Sequence, residues 1–326
     1  MGKKDLLLKT YLSNPVRYAD VYNGSVFGGA QVLDASQLEE AATVVTKADG
    51  SAILETTCDI AMRQKVEGGL FALWILENQE EVDYGMPVRI LLREALEYDR
   101  QVKALKRRNE AEYREGHEGE IAAGEYLYKV RKSDRIHPVC TLVIYWGKHW
   151  DGPRSLHEFL DFSGYGEGVA EEFKKLIPEY PLHILNLNEE NDYSGFRTPL
   201  RTVFELYARR ADKGRFLDYV NTHEECQHLD VETYGIIREL IGIAQVRRMR
   251  DRSEGEEEQD MWKAVEDLIE DGRTEGRAEG KIEKANLFIS IIGNMMERLH
   301  CTLEEACEIA GQSVEEYKQA RELLSN

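Results

Sequence analysis

Two carboxylates stand at the outer ends of two apolar arms in the segment CDIAMRQKVEGGLFALWILENQ, residues 58–79. The glycine-containing stretch 67–69 between the arms is typical of a β-hairpin loop. Asp59 and Glu77 are each nine residues from Gly68, so a hairpin centred there brings them opposite one another. A two-residue turn at positions 68 and 69 would instead slip this register by one residue.

The same hairpin predicts which side chains share a face. Side chains alternate along a strand, so Glu77 and Gln79 point one way and Asn78 points the other. Two carboxylates about 4 Å apart repel by about 4 kcal/mol near a protein surface. A shared proton or a bound cation relieves such repulsion, and oxygen-only ligands favour Mg²⁺ or Mn²⁺. The alternative is that Asp59 and Glu77 simply end their strands at the surface.

The overall charge limits the classes of partner. The chain has 326 residues and a net charge of -19, which argues against sequence-blind adhesion to nucleic acid or anionic membrane. More than half of that charge falls in residues 251–326, so a local basic groove elsewhere stays open. The N-terminus lacks a signal peptide, and the longest apolar run, 70–76, is too short to span a bilayer. We expect a soluble, cytoplasmic protein with no membrane partner.

The cysteines indicate no disulfide framework, because the five are scattered and no pair has CxxC spacing. His223, Cys226 and His228 form an imaginable zinc half-site. No second cluster completes it, so an exposed helix is the preferred interpretation.

Hydrophobic periodicity predicts an α/β fold. Helices are expected at 4–23 with a break at Ser13-Asn14-Pro15, from Pro87 to about Arg108, at 156–160, and from 200 to about 250. Strands are expected in the two hairpin arms, at 139–146 and at 181–187, and residues 109–120 should form a mobile linker. This order predicts a mixed central sheet flanked by helices.

The C-terminal part should form a helical extension beyond a first domain of residues 1–250. Residues 251–285 are a charged, low-complexity linker, and residues 286–326 a small helical hairpin. Two capping boxes, Thr302 to Glu305 and Ser313 to Glu316, predict two short helices. A DNA-reading helix-turn-helix would look similar, but the acidic start of the second helix favours packing or homo-oligomerisation.

Several short motifs together resemble one known family. They are Asp20 in RYADVYN, Asp59 in CDIAMR, Glu77 and Gln79 in WILENQ, Met86 and Arg89 in MPVR, then VIYWG, HWDGPRSLHEFL and DGRTEGRAEG. Their order over residues 11–280 resembles the Rpn (recombination-promoting nuclease) and putative transposase family, the YhgA-like proteins of the PD-(D/E)XK nuclease superfamily.

The resemblance implies a restriction-endonuclease-like core and a metal-dependent DNA endonuclease linked to recombination or transposition. It implies that Asp59 and Glu77 hold Mg²⁺ or Mn²⁺, with the carbonyl of Asn78 as a further ligand. Gln79 would orient the attacking water or the phosphate. Asp20 would be an accessory acid, unless it is an ordinary aspartate on a helix surface.

Two residues depart from the common nuclease pattern. Gln79 stands where many PD-(D/E)XK nucleases have lysine and cannot supply a positive charge, although glutamine is usual in the Rpn family. Glu80, where related sequences often have serine, adds negative charge beside the site. The alternative function is therefore a catalytically inactive, transposon-derived DNA-binding or scaffold protein.

Basic residues after the motif are candidate DNA contacts. Arg89 and Arg93 lie four apart on one helix face, where they would clamp phosphate or simply pair with Glu94 or Glu97. A second basic stretch is a candidate for the DNA backbone, with a solvated helix end as the more common explanation. Its members are Lys103, Lys106, Arg107 and Arg108.

Overall fold

A computed structural model provides the structure of the protein. It describes residues 3–49, 52–65, 71–115, 122–189, 191–241, 258–259, 282, 284–297, 300 and 302–324. The chain divides into two compact units, residues 1–242 with 257–259, and residues 243–256 with 260–326. The predicted domain boundary at 250 and most of the predicted linker 251–285 lie outside the described residues.

The first unit alternates helices and strands. Its helices are α1 (Lys3–Leu12), α2 (Pro15–Ser25), α3 (Met86–Arg114), α4 (Ala123–Tyr128), α5 (Leu156–Phe159), α6 (Glu167–Leu176), α7 (Leu200–Arg209), α8 (Lys213–Thr222) and α9 (Val231–Ile241). Its strands are β1 (Leu38–Glu40), β2 (Val44–Asp49), β3 (Ala52–Thr57), β4 (Ile60–Lys65), β5 (Phe71–Gln79), β6 (Val139–Tyr145), β7 (His183–Asn186), β8 (Leu229–Asp230) and β9 (Glu258–Gln259).

Five strands form the central sheet in the order β1-β4-β5-β6-β7. The pairs β1–β4 and β4–β5 are antiparallel, whereas β5–β6 and β6–β7 are parallel. Two further two-stranded pairings, β2–β3 and β8–β9, lie outside this sheet. The prediction of a mixed sheet flanked by helices is confirmed.

Helices cover both faces of the sheet. On one face, Met86 and Ile90 of α3 pack against Val143 and Tyr145 of β6. On the other face, the ring of Tyr22 in α2 meets Trp74 edge-on at 4.9 Å between centroids. Because both faces are buried, the parallel strands read as continuous apolar runs.

The Tyr22 hydroxyl also bonds directly to the backbone of β5. Its oxygen lies 2.6 Å from the carbonyl oxygen of Ile75, to which it donates, and it accepts the Ile75 N–H at 3.1 Å. Tyr22 is 1% exposed, so these bonds are shielded from water. They connect α2 to the middle of the central strand.

The predicted break in the first helix is confirmed. Asn14 caps α2 by accepting the backbone N–H groups of Val16 and Arg17 through its side-chain oxygen. Pro15 occupies the first turn, where it has no hydrogen bond to lose. The cap satisfies two donors that a helix start leaves unpaired.

Helix α3 is longer than the sequence predicted, since it continues to Arg114. The prediction of a mobile linker from residue 109 is wrong for 109–114. Asn109 is fully buried and donates to the carbonyl oxygen of Lys129 at 3.0 Å and to Asp134 Oδ2 at 2.7 Å. This polar anchor holds the last turns of α3 against residues 129–134.

The second unit is helical where it is described. It contains α10 (284–297), α11 (Leu303–Ile309) and α12 (Val314–Leu323). Thr302 and Ser313 cap α11 and α12 with both predicted capping boxes formed. Ile292 packs there against Ala306 and Cys307. Among the described helices, none combines the length and apolarity needed to cross a bilayer.

Candidate active site

The predicted hairpin register is present. Ile60 of β4 pairs with Leu76 of β5, so the next position outward sets Asp59 opposite Glu77. Asp59 Oδ2 accepts the backbone N–H of Asn78 at 2.7 Å, which fixes the carboxylate beside the end of β5. The turn itself, residues 66–70, lies outside the described residues.

Glu77 is buried on the sheet face that α3 covers. Its carboxylate forms an ion pair with Arg93, whose side chain is only 3% exposed. Arg93 also donates through Nη2 to the carbonyl oxygen of Thr57 at 2.5 Å. Arg89 Nη2 lies 3.8 Å from Glu77 Oε2, and its Nη1 pairs with Asp83 Oδ2 at 2.8 Å. Two arginines from one helix therefore face the glutamate.

The environment of Glu77 shifts its proton equilibrium. Burial raises the pKa of the Glu77 carboxyl from 4.5 to about 7, Arg93 opposes that rise, and the nearby charge of Asp59 adds to it. Glu77 thus exchanges its proton near neutral pH. Burial also raises the pKa of the neighbouring Cys58 thiol to about 11, so this cysteine is not an activated nucleophile.

The last residues of β5 point as their alternation predicts. The Asn78 side chain accepts the indole N–H of Trp146 at 3.1 Å on the face opposite Glu77. Gln79 is half-buried on the Glu77 side, and its backbone carbonyl accepts the Trp146 N–H at 2.7 Å. Within the described chain, no hydrogen bond engages the Gln79 amide.

Glu80 is exposed just beyond the strand. It forms an ion pair with Lys4 of α1, whose ammonium group partly offsets the negative charge that the sequence placed beside the site.

Asp20 bonds to a different part of the chain, residues 197–198. It is buried, which corrects the alternative of an aspartate on a helix surface. Its carboxylate accepts the backbone N–H groups of Arg197 and Thr198, at 2.9 Å and 2.8 Å, and the Thr198 hydroxyl at 2.6 Å. Those bonds hold α2 to the chain that leads into α7. These contacts of Asp20 are therefore structural.

The predicted phosphate contacts need one correction. Arg93 is buried and paired with Glu77, so it is not available to a DNA backbone. The alternative pairing with Glu94 or Glu97 is not found either. Glu94 accepts the Thr141 hydroxyl at 2.7 Å, and Glu97 pairs with Arg100.

The four residues of the second basic stretch are exposed on α3. Lys103 pairs with Asp99 at 2.9 Å, and Arg108 pairs with Asp134 at 2.7 Å. Lys106 and Arg107 form no ion pair with any described residue. This stretch thus keeps positive charge at the surface.

The residues fit a hard divalent cation through their oxygen chemistry. Asp59 Oδ2 accepts the backbone N–H of Asn78, whereas Asp59 Oδ1 makes no hydrogen bond to a described residue. Glu77 Oε2 is only loosely approached by Arg89. Across the described residues, no group of three or more histidine, cysteine, aspartate or glutamate side chains forms a metal cluster, so backbone or amide oxygens and water would complete the shell.

The zinc half-site is not assembled among the described residues. Cys226 is fully buried, and the His223 ring stacks on Tyr219 at 3.8 Å between centroids.

The pairing of Arg93 with Glu77 is the feature that sequence reasoning missed. Its signal was the spacing of Arg89 and Arg93 on one helix face after the strand. The side of the sheet on which α3 packs decides their partner, and that depends on contacts remote in sequence.

Comparison with known proteins adds no assignment. No protein-family model matches the chain, and neither a curated protein nor a solved structure matches it.

Proposed function

We propose that the protein is a metal-dependent DNA endonuclease of the PD-(D/E)XK type, built on a restriction-endonuclease-like core and linked to DNA recombination. One observation carries the proposal. Asp59 lies opposite Glu77 at the end of β5, with Gln79 on the same face as Glu77. The motifs that resemble the Rpn family, taken in their order along the chain, support a nuclease role for this arrangement.

The roles follow from the environment of each side chain. Asp59 and Glu77, with the carbonyl of Asn78, would hold Mg²⁺ or Mn²⁺. The ion would lower the pKa of a bound water and offset charge on the scissile phosphate. Gln79, with its amide unengaged, would orient the water or a phosphate oxygen. Arg89, which is 38% exposed, would face the phosphate with its positive charge.

Arg93 stabilises the deprotonated form of Glu77, because its guanidinium lowers the pKa of that carboxyl. Glu77 must lose its proton to bind a cation. Because the pKa of Glu77 is about 7, cation binding releases a proton near neutral pH. Activity should therefore rise with pH through that range.

The test is nicking of supercoiled plasmid with Mg²⁺ or Mn²⁺. Wild type should nick, and Asp59→Asn and Glu77→Gln should each lose about 100-fold or more in rate, since each removes a ligand. Glu81→Gln is the matched control, because it removes one negative charge at an exposed position two residues beyond Gln79. Equal rates in wild type and Asp59→Asn would refute the assignment.

A second candidate is an inactive DNA-binding or scaffold protein. The observation favouring it is that Arg93 already neutralises Glu77 inside the protein, so a cation is not required to relieve the repulsion. In this case wild type would bind duplex DNA without divalent-dependent nicking. Asp59→Asn would bind it with the same affinity.

A further inference from the structure

A groove of about 230 Å³ lies between the middle of α3 and residues 135–137, away from the candidate active site. Three arginines and three apolar residues contribute to its lining. They are Arg100, Arg108 and Arg135, with Ala104, Leu105 and Ile136.

Each guanidinium in the groove is held in place but remains accessible. Arg100 donates two bonds of 2.6 Å to Glu97, and Arg108 pairs with Asp134 at 2.7 Å. Their side chains are 50% and 54% exposed, whereas those of Glu97 and Asp134 are 4% and 5% exposed. The cations thus face solvent and the anions lie behind them.

Arg135 adds charge that no carboxylate balances within the described chain. Its Nη1 donates to the carbonyl oxygens of Lys132 and Asp134, at 2.9 Å and 2.7 Å. Two backbone acceptors therefore fix the group without neutralising it. Arg108 Nε also lies 3.8 Å from Glu112 Oε1, and the other oxygen of Glu112 pairs with Arg131 at 2.6 Å. Three guanidiniums and no carboxylate are among the described residues that line the groove, in a chain whose net charge is -19.

The groove continues the helix face that begins at the candidate active site. At 3.6 residues per turn, Arg89, Arg93, Arg100 and Arg108 fall within about 100° of one another around α3. At 1.5 Å per residue, the step from Arg93 to Arg100 and Arg108 is about 10–22 Å. One DNA strand places successive phosphates about 3.4 Å apart along its axis, so that step matches about three to seven nucleotides.

We propose that this groove binds phosphate groups, supplied by the DNA backbone a few nucleotides from the bond that is cut. Guanidinium forks suit phosphate because they donate two parallel hydrogen bonds, and fixed arginines lose little freedom on binding. The claim that these phosphate groups belong to DNA rests on the proposed function. The phosphate chemistry itself does not, since a free polyphosphate presents the same oxygens.

The test measures binding of a short labelled duplex by fluorescence anisotropy, without divalent metal, from about 50 to 200 mM NaCl. Arg135→Gln should lower affinity several-fold and reduce the slope of log K against log salt by about 0.9, the value for one lost phosphate contact. Arg135 is the informative position because its removal leaves no carboxylate unpaired.

Lys175→Gln is the matched control. It also removes one exposed positive charge, but Lys175 lies on α6 and does not line the groove. Its slope should stay at the wild-type value. Equal losses in Lys175→Gln and Arg135→Gln would overturn the groove as a site, because general attraction would explain both.

Inorganic pyrophosphate separates the two sources of phosphate. Competition with DNA in wild type that is lost in Arg135→Gln would support the site. If pyrophosphate binding depends on Arg135 but duplex binding does not, the groove does not bind the DNA backbone, and that part of the proposal is refuted. The nuclease proposal fails separately. A wild type that never nicks but shows the Arg135 salt effect would keep the groove and discard the catalytic assignment.

Discussion

Replacing Arg93 by methionine should destabilise the protein strongly at pH 8. Methionine fills much of the volume of the arginine stem but leaves Glu77 charged and buried at 5% exposure. The Thr57 carbonyl also loses its donor. Removing one partner of a buried ion pair costs about 3–5 kcal/mol, mostly because the remaining charge has no compensation.

The pH dependence distinguishes this cause from lost packing. Glu77 has a folded-state pKa of about 7, above its ordinary 4.5, and loss of Arg93 should raise that pKa further. A carboxyl with a raised folded pKa stabilises the fold at low pH and loses that contribution as pH rises. The deficit of Arg93→Met should therefore shrink as pH falls below 7, where Glu77 becomes neutral.

The assay is urea unfolding followed by tryptophan fluorescence, in a double-mutant cycle with Glu77→Gln. The double variant should recover most of the loss at pH 8, since neither charge remains buried. Lys175→Met is the control, because Lys175 and Glu172 are 68% and 71% exposed and their pair should contribute little. A loss in Arg93→Met that is additive with Glu77→Gln, or constant from pH 5 to pH 8, would refute the electrostatic explanation.

Three further outcomes are expected. Asp20→Ala should cost about 2–4 kcal/mol in urea unfolding, because buried donors around Thr198 lose their acceptor, while nicking per folded molecule is unchanged; inactivity of the folded variant would contradict the structural role. Asn14→Ala should cost about 1 kcal/mol through loss of the α2 cap, and an unchanged urea midpoint would contradict it. Mg²⁺ should raise the melting temperature of wild type but not of Asp59→Asn, with EDTA reversing the shift; an equal rise in both would remove Asp59 from the ligand set.

The hairpin register could be predicted because it depends on local information. Counting outward from Gly68 set Asp59 against Glu77, and the pairing of Ile60 with Leu76 agrees. Strand alternation then correctly separated Asn78 from its neighbours. Loop position and a period of two were sufficient for both conclusions.

The errors involve residues whose environment is set by distant parts of the chain. Asp20 carries a motif-like sequence context, yet its carboxylate is taken by residues 197–198, and no local pattern encodes that contact. Asn109 begins a polar stretch that resembles a linker. It is buried because Asp134 and the carbonyl of Lys129 pair with it. Local sequence predicts that such a polar residue is exposed, because it does not show the distant groups that pair with it when it is buried.

The partners of the two arginines are decided by packing, and Arg93 has neither of the partners expected from the sequence. Helical spacing correctly put Arg89 and Arg93 on one face, but spacing does not say which face meets the sheet. With that face against β5, Arg93 enters the interior and Arg89 stays near the surface.

The hydroxyl of Tyr22 connects helix α2 to the strand that carries Glu77. This hydroxyl forms hydrogen bonds with the carbonyl and the N–H of Ile75, two residues before Glu77 on the same strand. Removing the helix or that one oxygen would leave an amide in the middle of the sheet without its partner. Deletions near the N-terminus should therefore impair the carboxylate pair from a distance, and fragments that begin after residue 25 would be poor substitutes for the full chain.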